Sequence, residues 1–112
     1  MKIYHNPRCS KSRQTLELII KAGKKVEVIE YLQVTPTHEE LKSILTKLGI
    51  SPEQLLRKNE ALYKEKFKEK SFSDDEWIQI MIENPKLIER PIVIDGKKAV
   101  LGRPPENVLT LL

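Results

Sequence analysis

Residues 2–32 read as strand, helix, strand, and that order limits the fold more than any other feature of the chain. Lys2-Ile3-Tyr4 is a short apolar strand. It breaks at His5-Asn6-Pro7-Arg8 into a helical run beginning around Ser10, with Leu16, Ile19 and Ile20 on one face and Gly23 as the stop. Val26 through Leu32 then alternates with period two. Two strands joined by one helix with so short a return are expected to be parallel, through a right-handed crossover. Near the other end, Ile92-Val93-Ile94 and Ala99-Val100-Leu101 flank Asp95-Gly96, the signal of a tight antiparallel hairpin. Pro104 and Pro105 open a closing helix.

The middle of the chain is helical and well punctuated. Thr37 with Glu40 forms a capping box ahead of Leu41, Ile44, Leu45 and Leu48, with Gly49 as the stop. Ser51-Pro52-Glu53-Gln54 is a second helix start, with proline at the first helical position. Ser73 with Glu76 starts a third helix carrying Trp77, Ile80 and Met81, stopped at Asn84-Pro85. The order is βαβ, a helical insertion at about 37–84, then ββα, within one domain spanning 1–112. An α/β chain of this kind, a small mixed sheet with helices on both faces, is the thioredoxin-like arrangement. Pro91, at the start of the third strand, is its candidate for a cis peptide bond.

Charge and composition remove several classes of function. Twenty basic and sixteen acidic residues leave a net charge of +4, with the signs interleaved, as from Lys64 to Lys70, where they read as a solvated helix face. A nucleic-acid surface would show a stronger basic stripe with aromatic platforms. No apolar run reaches membrane-spanning length, and no basic start with an apolar region behind it marks a signal peptide. One cysteine makes no internal disulfide, and no cysteine–histidine cluster suggests a metal. A cytoplasmic, reducing location and a monomer are expected.

That cysteine, Cys9, stands where the first strand gives way to the first helix. A helix start offers unpaired N–H groups and the positive end of the macrodipole, and both favour thiolate. Lowering a thiol pKa by about two units requires about 2.7 kcal/mol, whereas a helix dipole supplies roughly 0.3–1, or about 2 when partly buried. A neighbouring cation is therefore needed, and His5, Arg8 and Arg13 are the local candidates. Arg8, Lys11 and Arg13 crowd a helix start that disfavours positive charge, which makes sense if an anion binds there. The plainer alternative is a small buried apolar residue beside a solvated face.

Two further patterns bear on chemistry. In Cys9-Ser10-Lys11-Ser12, serine stands where a dithiol oxidoreductase would carry its second cysteine, so a resolving thiol must come from another molecule, with glutathione the obvious supplier. The Cys9–Arg13 spacing is too short for a phosphatase loop. Arginines also stand at element ends: Arg57, Arg90 before Pro91, and Arg103 before Pro104. A planar, permanently charged guanidinium suits a tetrahedral oxyanion, because it donates two parallel hydrogen bonds. Each alone reads as a solvated end residue; together with the thiol loop they suggest an anion site.

Tyr4-His5-Asn6-Pro7-x-Cys9-x-x-Ser12-Arg13, Leu55-Leu56-Arg57-Lys58-Asn59, Arg90-Pro91-Ile92-Val93 and Arg103-Pro104 closely resemble, in order and over nearly the whole chain, the glutaredoxin-dependent arsenate reductases. The resemblance implies that Cys9 attacks arsenate, that Arg57, Arg90 and Arg103 hold the oxyanion, and that His5 helps to ionise the thiol; Ser12 and Arg13 are expected to support the thiolate with it. It also implies glutathione as co-substrate, glutaredoxin as partner and no bound cofactor. Arg8 departs from the family pattern, which has a small or neutral residue before the cysteine. Two other readings stay open: a glutathione-dependent thiol–disulfide oxidoreductase with another substrate, and a regulator of the Spx type that binds RNA polymerase.

Overall fold

The computed structural model describes Met1–Leu112, which divides into two compact units. The first comprises Met1–Val34 and Arg90–Leu112, and the second Thr35–Glu89. No helix is long and apolar enough to cross a membrane.

The first unit is built on a four-stranded sheet of β1 (Lys2–His5), β2 (Glu27–Glu30), β3 (Ile92–Asp95) and β4 (Lys98–Leu101), in the order β2-β1-β3-β4. β1 and β2 are parallel, joined by α1 (Ser10–Lys21), and β3 runs antiparallel to both β1 and β4. This is the mixed sheet that the βαβ and ββ patterns require. The register sets Ile3 opposite Val93 and Val93 opposite Val100, so these three share one face. Ile3, Val93, Ile19 of α1 and Val108 form a fully buried cluster. Burial of each such side chain is worth about 1.5–3 kcal/mol.

Local expectations are corrected at several points. The buried stripe of α1 is Ser12, Thr15 and Ile19, while Ile20 is 61% exposed. The helix turns two polar residues inward because both find hydrogen-bond partners there, and no apolar pattern announces that. β2 is an edge strand, so its alternation buries little, and Val28 stays exposed. The hairpin pairs Asp95 with Lys98, which puts Gly96-Lys97 in the loop. Gly96 takes φ +61, and a residue without Cβ adopts that at no steric cost. The closing segment, Pro105–Leu111, is a 3₁₀ helix. The peptide bond before Pro91 is cis, as is that before Pro104.

The second unit contains α2 (His38–Leu48), α3 (Ala61–Lys66) and α4 (Asp74–Glu83), with 3₁₀ turns at Pro52–Leu55 and Pro85–Leu87. Both expected capping boxes are formed: Thr37 and Ser73 accept from the N–H groups of Glu40 and Glu76, whose carboxylates accept in return. The segment expected to start a helix at Pro52 makes only a 3₁₀ turn. The charged run from Lys64 leaves the helix after Lys66, where Phe67 turns edge-on to Phe72 and Trp77.

Candidate active site

Cys9 is the N-cap of α1, in extended conformation at φ −93 and ψ 121. Its N–H donates to the Asn6 carbonyl at 3.0 Å, and its own carbonyl accepts from Arg13 N–H at 3.0 Å. The tight turn has a local cause: Asn6 Oδ1 accepts from Arg8 N–H at 3.0 Å, a side chain standing in for a backbone turn. The thiol is thereby held at the mouth of the helix, 8% exposed. The first turn of α1 contains no acidic residue to neutralise its positive end.

Burial and the neighbouring donors and charges set the thiol's acidity. Burial pushes the Cys9 pKa up. The Ser12 N–H, the Arg90 charge and the Lys11 N–H each favour the thiolate, and together they outweigh burial, so the pKa lies below the ordinary thiol value. Arg103 adds a contact from the far end of the sequence. Its Nη1 donates toward Cys9 Sγ at 3.8 Å and to the Arg90 carbonyl at 3.3 Å. The cation that the helix dipole alone could not replace is Arg90, just before β3, and Arg103, just after β4, contacts the sulfur beside it.

His5 lies on the same face of β1 as Ile3, two residues further on, and meets α1 there. Its Nδ1 is 2.6 Å from Ser12 Oγ, and Ser12 Oγ accepts from Asn6 N–H at 3.1 Å. Burial lowers the His5 pKa; Glu30 opposes that shift and Arg13 adds to it. The uncharged imidazole is therefore favoured. It holds Ser12, whose N–H favours the thiolate, rather than presenting a positive charge to sulfur. Arg13 takes a different place from the one expected: its guanidinium donates to the Pro7 carbonyl at 2.9 Å, so it braces the loop. A planar donor follows the nearest exposed carbonyl, and local spacing does not say which one.

Arg57 belongs to the second unit. There its Nη1 lies 3.5 Å from Glu60 Oε2 and donates to the Lys86 carbonyl at 3.4 Å, while its own N–H donates to the Leu87 carbonyl. Sequence reasoning overlooked Asn6, Thr15 and Gly102. Asn6-Pro7 was a readable turn signal. Thr15 offered only its position between Ser12 and Ile19 on the helix.

A model of the ArsC family matches residues 4–111. The chain belongs to the ArsC family. Among curated relatives, "Uncharacterized protein YfgD" of Escherichia coli (strain K12) is 48% identical, over 100% of this chain and 96% of its own length. An arsenate reductase of Yersinia enterocolitica is 47% identical, over 98% of this chain and 79% of its own. Among solved structures, an arsenate reductase from Vibrio cholerae superposes with a TM-score of 0.94 at 47% identity, covering 100% of this chain and 98% of that one. The thioredoxin-like fold of these ArsC neighbours is the fold of this chain.

Proposed function

We propose that this ArsC-family protein is an arsenate reductase that works through a single thiol. The observation that carries the reading is the convergence of Arg90 and Arg103 on a lowered-pKa cysteine at a helix start. The Cys9 thiolate attacks arsenic, a sulfur–arsenic bond forms, and one arsenate oxygen leaves as water after protonation. Arg90 and Arg103 stabilise the negative charge on the remaining oxygens. The family resemblance makes Arg57 the third arginine of the oxyanion set; within its own unit its guanidinium is held by Glu60 and the Lys86 carbonyl.

The chain has one cysteine, so completing the reduction requires thiols from other molecules. Glutathione attacks the Cys9 sulfur, the sulfur–arsenic bond breaks with its electron pair passing to arsenic, and arsenite leaves; glutaredoxin then takes the glutathione from the Cys9 disulfide as its own mixed disulfide and frees the Cys9 thiol. In sum, arsenate and two thiols give arsenite, one disulfide and one water: arsenic gains two electrons and the two sulfurs lose them. The reading uses no resident metal or flavin and places the protein, as a monomer, in a reducing cytoplasm.

The test is arsenate-dependent NADPH oxidation coupled through glutathione reductase, with glutathione and glutaredoxin, for the wild type and Cys9→Ser. Turnover abolished by the substitution is the expected result. Full turnover by Cys9→Ser would end the proposed role of the thiol. No arsenate turnover, from a folded protein that reduces a glutathionylated peptide, would replace the substrate.

A further inference from the structure

Three segments remote in sequence meet beside the thiol: α1, the Arg90-Pro91 step before β3, and the Gly102-Arg103 step after β4. Thr15, fully buried on α1, makes the join. Its hydroxyl lies within donating distance of two carbonyls, Lys11 at 2.8 Å and Gly102 at 3.3 Å. The Gly102 carbonyl belongs to the peptide group that continues into Arg103. On its other side, Gly102 N–H donates to the Pro91 carbonyl at 2.9 Å. Arg103 then reaches back to the Arg90 carbonyl and to the sulfur.

The glycine at 102 serves closeness, since its φ is not in the left-handed region. A Cβ there would stand 2.8 Å from Pro91 Cγ and 2.9 Å from Thr15 Cγ2, and closer still to Thr15 Oγ1. Two of the three collisions are with one buried side chain on the helix that Cys9 caps. Any larger residue must displace the Thr15 side chain, the Pro91 ring or the β4 end that carries Arg103.

We propose that Thr15 and Gly102 are positioning residues, whose contact sets the distance at which Arg103 and Arg90 meet the Cys9 sulfur. Neither touches the sulfur in this arrangement; they act through the arginines. The inference deepens the reading of Cys9 as a working nucleophile and rests on it. Its test reads the thiol directly and so does not depend on arsenate turnover.

The experiment measures iodoacetamide alkylation rate against pH for the full chain and for Gly102→Ala, Thr15→Val and Thr15→Ser, with thermal melts alongside. Thr15→Val keeps the shape and deletes the hydroxyl. Gly102→Ala and Thr15→Val are expected to raise the alkylation midpoint, with about tenfold less thiolate at a pH below it if the shift is about one unit. Thr15→Ser, which keeps the hydroxyl, is expected to restore the wild-type midpoint. In an Arg103→Ala background, Thr15→Val should shift the midpoint less than it does alone, an effect that a merely structural role would not produce. Should Gly102→Ala fail to fold, the near-isosteric Thr15→Val and the double variant decide. Folded variants with an unchanged midpoint, or equal shifts with and without Arg103, overturn the proposal. A displaced midpoint in a protein without arsenate turnover would overturn the proposed substrate and leave the positioning role standing.

Discussion

Arg103→Ala removes a guanidinium whose Nη1 lies 3.8 Å from Cys9 Sγ. At that distance a unit charge pair is worth about 1 kcal/mol in bulk water and about 4 kcal/mol at an effective dielectric constant of ~20. The sulfur is nearly buried but Arg103 is exposed, so the contribution belongs toward the lower end, about 1.4 kcal/mol, or about one pKa unit. The alkylation midpoint of Cys9 should therefore rise by about one pH unit, with a tenfold fall in rate at a pH well below it. Arg103→Lys tests charge against shape. It should keep much of the thiolate shift but raise the KM for arsenate, because an ammonium group does not offer the planar fork. At a separation so far below the Debye length of about 10 Å in 0.1 M salt, the shift should largely survive added salt. A linked effect has a definite sign. A thiol with a lowered folded-state pKa stabilises the fold increasingly as pH rises from that value to the ordinary one, and Arg103→Ala should shrink this gain. A midpoint unchanged within about 0.3 unit, in a protein that melts normally, would refute the electrostatic reasoning, since one pKa unit corresponds to about 1.4 kcal/mol.

Because burial holds the His5 pKa below its ordinary value, the unfolded chain binds more protons between those two values. Stability should fall as pH drops through that window, and urea melts of His5→Asn should show a weaker dependence; an equal slope in both proteins would refute the assignment. Ser73→Ala removes one half of the α4 capping box and should cost about 1 kcal/mol, read as a Tm lower by about 4 °C. Unchanged Tm would mean that water replaces the cap without loss. Ile19→Ala opens a cavity in the fully buried cluster and should cost about 2–5 kcal/mol by denaturant titration, with the alkylation midpoint retained if the helix start stays in place. Arg57→Ala breaks a partly exposed ion pair, worth about 0–1 kcal/mol, and a long hydrogen bond to the Lys86 carbonyl, so arsenate turnover should fall far more than stability; parallel losses would remove its role in anion binding.

Features decided within a few residues were readable before any coordinates. The capping boxes at Thr37 and Ser73 close over three residues, and both formed. The sheet connectivity followed from element order, because a short helical return between two strands leaves little topological choice. Hydrophobic periodicity was a weaker guide. It placed Ile20 on the inner face of α1, whereas the helix buries Ser12 and Thr15, whose hydroxyls are engaged by His5, Asn6 and Gly102. Apolar spacing carries no information about such partners. The same limit hid the aim of Arg13, which chose the carbonyl of Pro7.

The sequence by itself determined that a lone thiol would stand where a strand gives way to a helix, with arginines at the ends of later elements. Cys9 caps α1, and Arg90 and Arg103 do border the β3–β4 hairpin. Tertiary structure alone decided which charges reach the sulfur. Arg103 stands 94 positions away in the chain, and its contact with Sγ exists because β4 is drawn against α1 at Gly102 and Thr15. Local chemistry fixes the elements over a few residues. A cation's effect on a thiolate falls off with distance in space, and only packing sets that distance.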